Sequence, residues 1–252
     1  MQPGKALDNM RKFDKTFITK TDKIKDTVYR KYNIQPSNNI CLLINELIRL
    51  DKSKGVYLEL GTFRGSTLLS CAEACLSFEL NTNLFGLDTF EGFPENLEIH
   101  KYDNPKHFLE LYKNKLITEA HYKNALQRTE NFNSIRHLES EYFKDIDQIF
   151  VRVKNYNNVS LVKSEIKNSE NLILDPIKIL FFDCDLYDSY MDGLNIFYNK
   201  VIPGGSIIFD EYYSYKYPGA LQAVIDFFKD KDDTLVKYQT QEGFERVMII
   251  KK

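Results

Sequence analysis

A doubly wound, mostly parallel α/β sheet is the fold class that this sequence predicts, on three observations. Short apolar β-type runs alternate with segments of helical periodicity, a glycine-bearing turn follows the first run, and acids stand directly after the later runs. Such alternation marks βαβ units. In an open parallel sheet, ligands bind at the carboxyl ends of the strands, so the turn and the acids share one rim.

Residues 1–37 are polar and charged, with scattered aromatics at Phe13, Phe17, Tyr29 and Tyr32. Asn39 to Leu50 carries Leu42, Leu43, Ile44, Leu47 and Ile48 at amphipathic spacing, which predicts a helix. Together these make an N-terminal helical segment over residues 1–50, followed by a core over 51–252. Gly55 to Gly61 reads as a short buried strand, Ser66 to Phe78 as a helix of small and apolar residues, and Asn83 to Leu87 as a second strand closed by Asp88. From 95 to 153 the chain turns rich in Lys, Glu, Asn, Tyr and His at helical spacing, with no buried strand. An insertion of that length between core strands is expected to be a helical cap or lid. Strands resume at Val159–Val162, Ile177–Phe182, Ser206–Phe209 and Glu245–Ile250, with helices at Ser189–Val201 and Gly219–Asp230.

Composition narrows the function. The 252 residues are 43% hydrophobic and 28% charged, ordinary for a globular protein with a sizeable core. A formal charge of −2 speaks against a general nucleic-acid binder, which needs a basic surface to release counterions. No run approaches the roughly 20 apolar residues of a membrane span, and Met1 to Asp22 lacks the apolar stretch of a signal peptide. A cytoplasmic location is the expectation. Cys41, Cys71, Cys75 and Cys184 show no metal-thiolate spacing and are expected to pack as buried free thiols.

The turn Glu59-Leu60-Gly61-Thr62-Phe63-Arg64-Gly65-Ser66 joins the first strand to its helix. Its glycines allow a tight turn and close approach of backbone to a ligand beside a helix terminus. The spacing is G-x-x-x-G, without the central glycine of dinucleotide binders, which disfavours NAD. Asp88, at the end of the second strand, stands where an acid grips the hydroxyls of a ribose. A nucleoside-bearing ligand follows, although a glycine turn alone is equally a structural device.

On the other side, Phe181-Phe182-Asp183-Cys184-Asp185-Leu186-Tyr187-Asp188-Ser189 and Phe209-Asp210-Glu211-Tyr212 bring Asp183, Asp185, Asp210 and Glu211 to strand ends. Acids gathered there repel one another unless a cation joins them, and a hard divalent ion suits oxygen ligands. Asp188 with Ser189 opens a helix, so capping is its expected task. Asp185 could likewise cap or orient Tyr187.

These motifs resemble the macrocin O-methyltransferase family, which includes the mycinamicin and novobiocin sugar methyltransferases. The resemblance rests on Glu59-Leu60-Gly61 with Gly65-Ser66, and on Gly86-Leu87-Asp88-Thr89-Phe90-Glu91-Gly92-Phe93-Pro94. It rests also on Asp183-x-Asp185-x-Tyr187-Asp188-Ser189, Pro203-Gly204-Gly205 and Asp210-Glu211-Tyr212. It covers about residues 55–94 and 159–230. It implies a Rossmann-like, class I fold dependent on S-adenosylmethionine (SAM), with Glu59, Gly61, Thr62, Ser66, Asp88, Thr89, Phe90, Ser164 and Asp183 around the cofactor. By the same resemblance Asp183, Asp210 and Glu211 ligate a divalent ion, Mg²⁺ or a similar one. Asp185 is the general base, with Asp183 beside it in the catalytic set. Many relatives carry Asp where this chain has Glu211, a departure that keeps hard oxygen but shifts its reach.

The implied reaction is methyl transfer to a sugar hydroxyl. A sugar hydroxyl has a pKa far above neutral, so a cation and a carboxylate must share its deprotonation. Catechol-type O-methyltransferases share the fold but use a lysine three residues after the first metal acid, where this chain has Leu186. A Rossmann-like binding module without catalysis is the remaining alternative. The implied substrate is a small sugar, nucleotide-linked or destined for a surface polysaccharide, and the relatives' habit of forming homo-oligomers through the N-terminal region carries over as an expectation. Cap cations Lys101, Lys106, Lys113, Lys115, Arg128 and Arg136 are candidates for phosphates. His100, His107, His121 and His137, and Tyr212, Tyr213, Tyr215 and Tyr217, are candidates for the acceptor side or for packing.

Overall fold

The computed structural model describes residues 13–37, 39–93, 99–130, 145–239 and 245–252. The expectations for Pro94, Arg136 and His137, and for the first twelve residues of the N-terminal segment, fall outside them.

The core strands are β1 (Val56–Leu60), β2 (Leu84–Asp88), β3 (Val159–Lys163), β4 (Ile177–Phe182), β5 (Val201–Phe209), β6 (Thr234–Gln239) and β7 (Glu245–Ile250). They form one sheet in the order β3-β2-β1-β4-β5-β7-β6. β1 to β5 run parallel; β7 is antiparallel to β5, and β6 to β7. The helices are α1 (Lys15–Tyr32), α2 (Ile40–Arg49), α3 (Ser66–Ser77), α4 (His107–Lys113), α5 (Glu119–Glu130), α6 (Gln148–Arg152), α7 (Tyr187–Phe197) and α8 (Pro218–Phe228). The doubly wound α/β expectation holds, with boundaries within a few residues except at β5. That strand begins at Val201 and absorbs Pro203, Gly204 and Gly205, and β6 was not foreseen.

Alternation along buried strands sends side chains to two faces. Tyr57, Ile179, Phe181, Ile208 and Met248 face a core shared with α1, α2 and α3. Leu58, Leu60, Leu180, Phe182, Ile207 and Phe209 face a second core under α7 and α8. The change of face between Ile177 and Ile179 coincides with a register shift in β4. There Lys178 is buried, and its Nζ donates to Leu50 O at 3.0 Å. All four cysteines are buried and free.

The insertion is helical over its described residues. Phe108, Leu111, Ile117 and Ala125 build a small satellite core against Leu221 of α8. α6 reaches the other side of the rim, where an added Cβ on Gly65 would stand 2.0 Å from Ile149 Cδ1. Among the described residues, no helix is long and apolar enough to cross a membrane.

Candidate active site

The order of strands reverses between β1 and β4, and a cleft of about 630 Å³ opens at their carboxyl ends, where such a sheet splits its connections to opposite faces. Its walls include Gly61, Asp88 and Ser164 on one side and Asp183, Asp185 and Tyr217 on the other.

The β1 side is held by backbone. Gly61 has φ +87, and a Cβ there would lie 2.1 Å from Asp183 O, so only glycine lets β1 and β4 meet this closely. Asp183 N donates to Leu60 O at 2.9 Å. Asp88 accepts from Phe63 N at 2.7 Å and Phe90 N at 2.9 Å, binding the turn to the end of β2. Phe63 and Phe90 both adopt left-handed backbone (φ 49 and 52), a conformation disfavoured for bulky residues and maintained here by that carboxylate.

Of the predicted cofactor residues, Gly61, Asp88, Thr89, Ser164 and Asp183 line the cleft; Glu59, Thr62, Ser66 and Phe90 do not. Glu59 lies beneath the rim, 1% exposed, and accepts from the Tyr57 hydroxyl at 2.6 Å. Burial pushes its carboxyl up to about 8, against the pull of that hydroxyl and with help from Asp88 and Asp210. Thr62 is buried against Gly86, whose Cβ would meet Thr62 Oγ1 at 2.6 Å. Sequence reasoning missed Phe63, Ile166, Lys167 and Asp192 in the cleft wall. The three residues after each strand end include Phe63 and Ile166 but not Lys167 or Asp192.

The acidic side is unlike this. Asp183 is pushed well above the ordinary carboxyl range by burial, then by Asp210, Asp185, Glu59 and Glu211. Glu211 is raised by burial and by Asp210 and Asp185. Asp185 is lifted to about 7 by burial and Asp210, with Lys216 opposing. The predicted acids therefore converge and repel. They offer hard oxygen donors of the kind Mg²⁺ takes, yet among the described residues no three of His, Cys, Asp and Glu stand grouped to hold a metal ion.

Asp210 has partners that the sequence did not disclose. Asn39, fully buried at the start of α2, donates from its amide to Asp210 Oδ1, and the Tyr238 hydroxyl donates to Asn39 Oδ1 at 3.0 Å. The direction is fixed by chemistry, since a carboxylate only accepts and the amide must turn its NH₂ toward it. Arg246 Nη1 donates to Asp210 O at 2.9 Å.

One expectation is corrected. Asp188 does not cap α7; it is the second residue of the helix, and no side chain of the preceding loop caps it. The Tyr187 amide instead donates to both carboxylate oxygens of Asp103, at 3.1 and 3.2 Å. Asp188 is thereby left exposed on the cleft wall.

The described histidines are packed outside the cleft lining. His100 stacks on Tyr187, His107 is bonded between Glu110 and Gln222, and His121 Nε2 lies 3.1 Å from Ser214 O. His121 also stacks edge-on against Tyr215, and Tyr212 meets Tyr213 at 4.8 Å, so these tyrosines pack between the acidic loop and the insertion. Tyr217 alone among the four lines the cleft.

Comparison with known proteins agrees with this geometry. Residues 155–236 match the macrocin O-methyltransferase family, the stretch that carries the acidic cluster. At the level of sequence, no curated protein matches the chain. Among solved structures, the O-methyltransferase NovP superposes with a TM-score of 0.59 at 18% identity, over 85% of this chain and 80% of its own. CalS11, a calicheamicin methyltransferase, superposes with a TM-score of 0.53 at 16% identity, over 99% and 98%. These likenesses establish the Rossmann-like methyltransferase fold. The family match, confined to residues 155–236, shows what that stretch of the chain is similar to.

Proposed function

We propose that this protein methylates a sugar hydroxyl with the help of a divalent ion held among Asp183, Asp210 and Glu211. The observation that carries the reading is that Asp183 and Asp185 line one wall of a cleft whose other wall holds Asp88, with Asp210 and Glu211 near enough to raise the Asp183 carboxyl. The adenosine end of SAM belongs to the Asp88 and Ser164 wall, with Asp88 taking the ribose hydroxyls and Ser164 beside the adenine. Glu59, Thr62, Ser66 and Phe90 support that wall from behind.

Bound Mg²⁺ would lower the pKa of the acceptor hydroxyl and relieve the repulsion among the acids. Asp185 lines the cleft beside Asp183 and is the carboxylate that would take the hydroxyl proton. SAM bound there would supply the methyl group, its carbon–sulfur bond breaking as the acceptor oxygen takes the methyl carbon to leave S-adenosylhomocysteine (SAH), and Asp185 would receive the hydroxyl proton. The site's main contribution is alignment of oxygen, carbon and sulfur. A nucleotide-linked sugar destined for a surface polysaccharide is the acceptor that we favour, which places the enzyme in the cytoplasm.

Tritium transfer from labelled SAM to a panel of nucleotide sugars, with and without EDTA, tests this. Transfer that EDTA abolishes and Mg²⁺ restores is expected. Undiminished transfer after verified metal removal would remove the ion, and no transfer to any sugar would remove the acceptor class.

A further inference from the structure

Asp103 belongs to the insertion, in a 3-10 turn over Lys101–Asp103, yet its carboxylate completes the N-terminus of α7. It is only 5% exposed. The space on its far side is equally tight, because a Cβ on Gly219 of α8 would stand 2.0 Å from Asp103 Oδ1. His100 stacks on the Tyr187 ring at 4.2 Å, and Tyr102 meets that ring edge-on at 5.0 Å. The insertion, α7 and α8 thus meet at one carboxylate.

The residues just before Tyr187 form the acidic wall of the cleft. Asp185 has φ 64, a left-handed conformation disfavoured for a residue with a side chain, so its surroundings must hold it. Upstream, Asp183 N is tied to Leu60 O of β1. Within the segment Leu186 N donates to Cys184 O at 2.7 Å, closing a tight turn about Asp185, and the pair of bonds from Tyr187 N to Asp103 ties the downstream end to the insertion. The segment 183–187 is thereby held between β1 and the insertion.

We propose that Asp103 is a positioning residue: by holding Tyr187 N it fixes the cleft-lining segment 183–187, so that cofactor binding depends on the docked insertion. This rests on the reading of the cleft as the SAM seat. An aspartate that served stability alone would affect melting and leave ligand affinity untouched.

Calorimetric titration of the full chain with SAH separates the two. Asp103→Ala is expected to weaken SAH at least tenfold. Asp103→Asn keeps an acceptor oxygen for Tyr187 N and is expected to restore affinity to within about threefold of wild type. Gly219→Ala, which pushes on Asp103 from α8 without removing its carboxylate, is expected to weaken SAH also, and serves if Asp103→Ala does not fold. Wild-type affinity in Asp103→Ala or in Gly219→Ala would overturn the inference. If the wild-type chain itself binds no SAH, the cofactor reading falls first and this inference with it.

Discussion

The two walls of the cleft are built on opposite electrostatic terms. On the β1–β2 wall, the Asp88 carboxylate is met by two backbone amides, at 2.7 and 2.9 Å, which pull the glycine turn into shape. On the β4–β5 wall, Asp183, Asp185 and Glu211 are raised by burial and by one another. One wall has its carboxylate satisfied by the protein alone, which suits the ribose seat proposed for it. The other carries a surplus of negative charge that only a cation or a proton relieves. The proposed division of labour between nucleoside recognition and proton removal rests on that difference.

The largest expected effect lies on the acidic wall. Asp185→Asn should lower kcat by roughly 10²- to 10⁴-fold, the usual worth of a positioned base, while SAH affinity stays within a few-fold. Steady-state kinetics beside calorimetry read the two quantities separately. A variant that loses SAH binding as much as turnover would break the contrast between the walls.

Next comes the complementary change. Asp88→Ala removes the acceptor of two backbone amides and the proposed ribose ligand together. A charged hydrogen bond is worth about 1.5–3 kcal/mol, so SAH affinity should fall by roughly 10- to 100-fold. Mn²⁺ affinity, followed by the loss of the free-ion EPR signal, should be unchanged. Equal loss of both ligands would mean that the walls are one site.

What the sequence disclosed of these walls follows the range of the interactions. Gly61, Asp88, Asp183 and Asp185 were legible because a strand end, a tight turn and an acid are neighbours in the chain. Asn39 and Tyr238 were not, since they come to Asp210 from α2 and β6, and nothing in their local pattern marks them as polar partners. The failure at Asp188 has the same cause: capping propensity is local, whereas the acceptor for Tyr187 N arrives from residue 103. β6 escaped notice because most of its described side chains are half-buried, as befits a sheet edge, and no apolar run announces it.

Asn39 sharpens the comparison from outside the motif region. If it aims Asp210 at an ion, Asn39→Ala should reduce Mn²⁺ affinity about tenfold, within the range for groups that orient a metal ligand. Tyr238→Phe should have a smaller effect in the same direction, and SAH affinity should hold in both. Unaltered Mn²⁺ binding in Asn39→Ala would make the Asn39–Asp210 bond purely a packing feature.

The smallest effect is a pH dependence that asks which wall carries the strain. Glu59 lies under the β1 side at about 8, and Asp103 braces the acidic side at about 7, both raised chiefly by burial. A carboxyl raised in the native state holds a proton there that the unfolded chain has already lost. Stability is therefore greatest near the ordinary carboxyl range and falls as pH rises toward the raised value. Between pH 5.5 and 7.5 the ligand-free protein should melt at progressively lower temperature, with Asp185 contributing to the slope beside Glu59 and Asp103. Glu59→Gln and Asp103→Asn should each flatten part of that slope, because neither amide titrates. If strain is confined to the acidic wall, only Asp103→Asn will flatten it. If Glu59→Gln does so as well, the burial of Glu59 beneath the cofactor wall costs stability even though its Tyr57 partner satisfies it. Thermal melts of the three proteins across that pH range distinguish these outcomes without any ligand present.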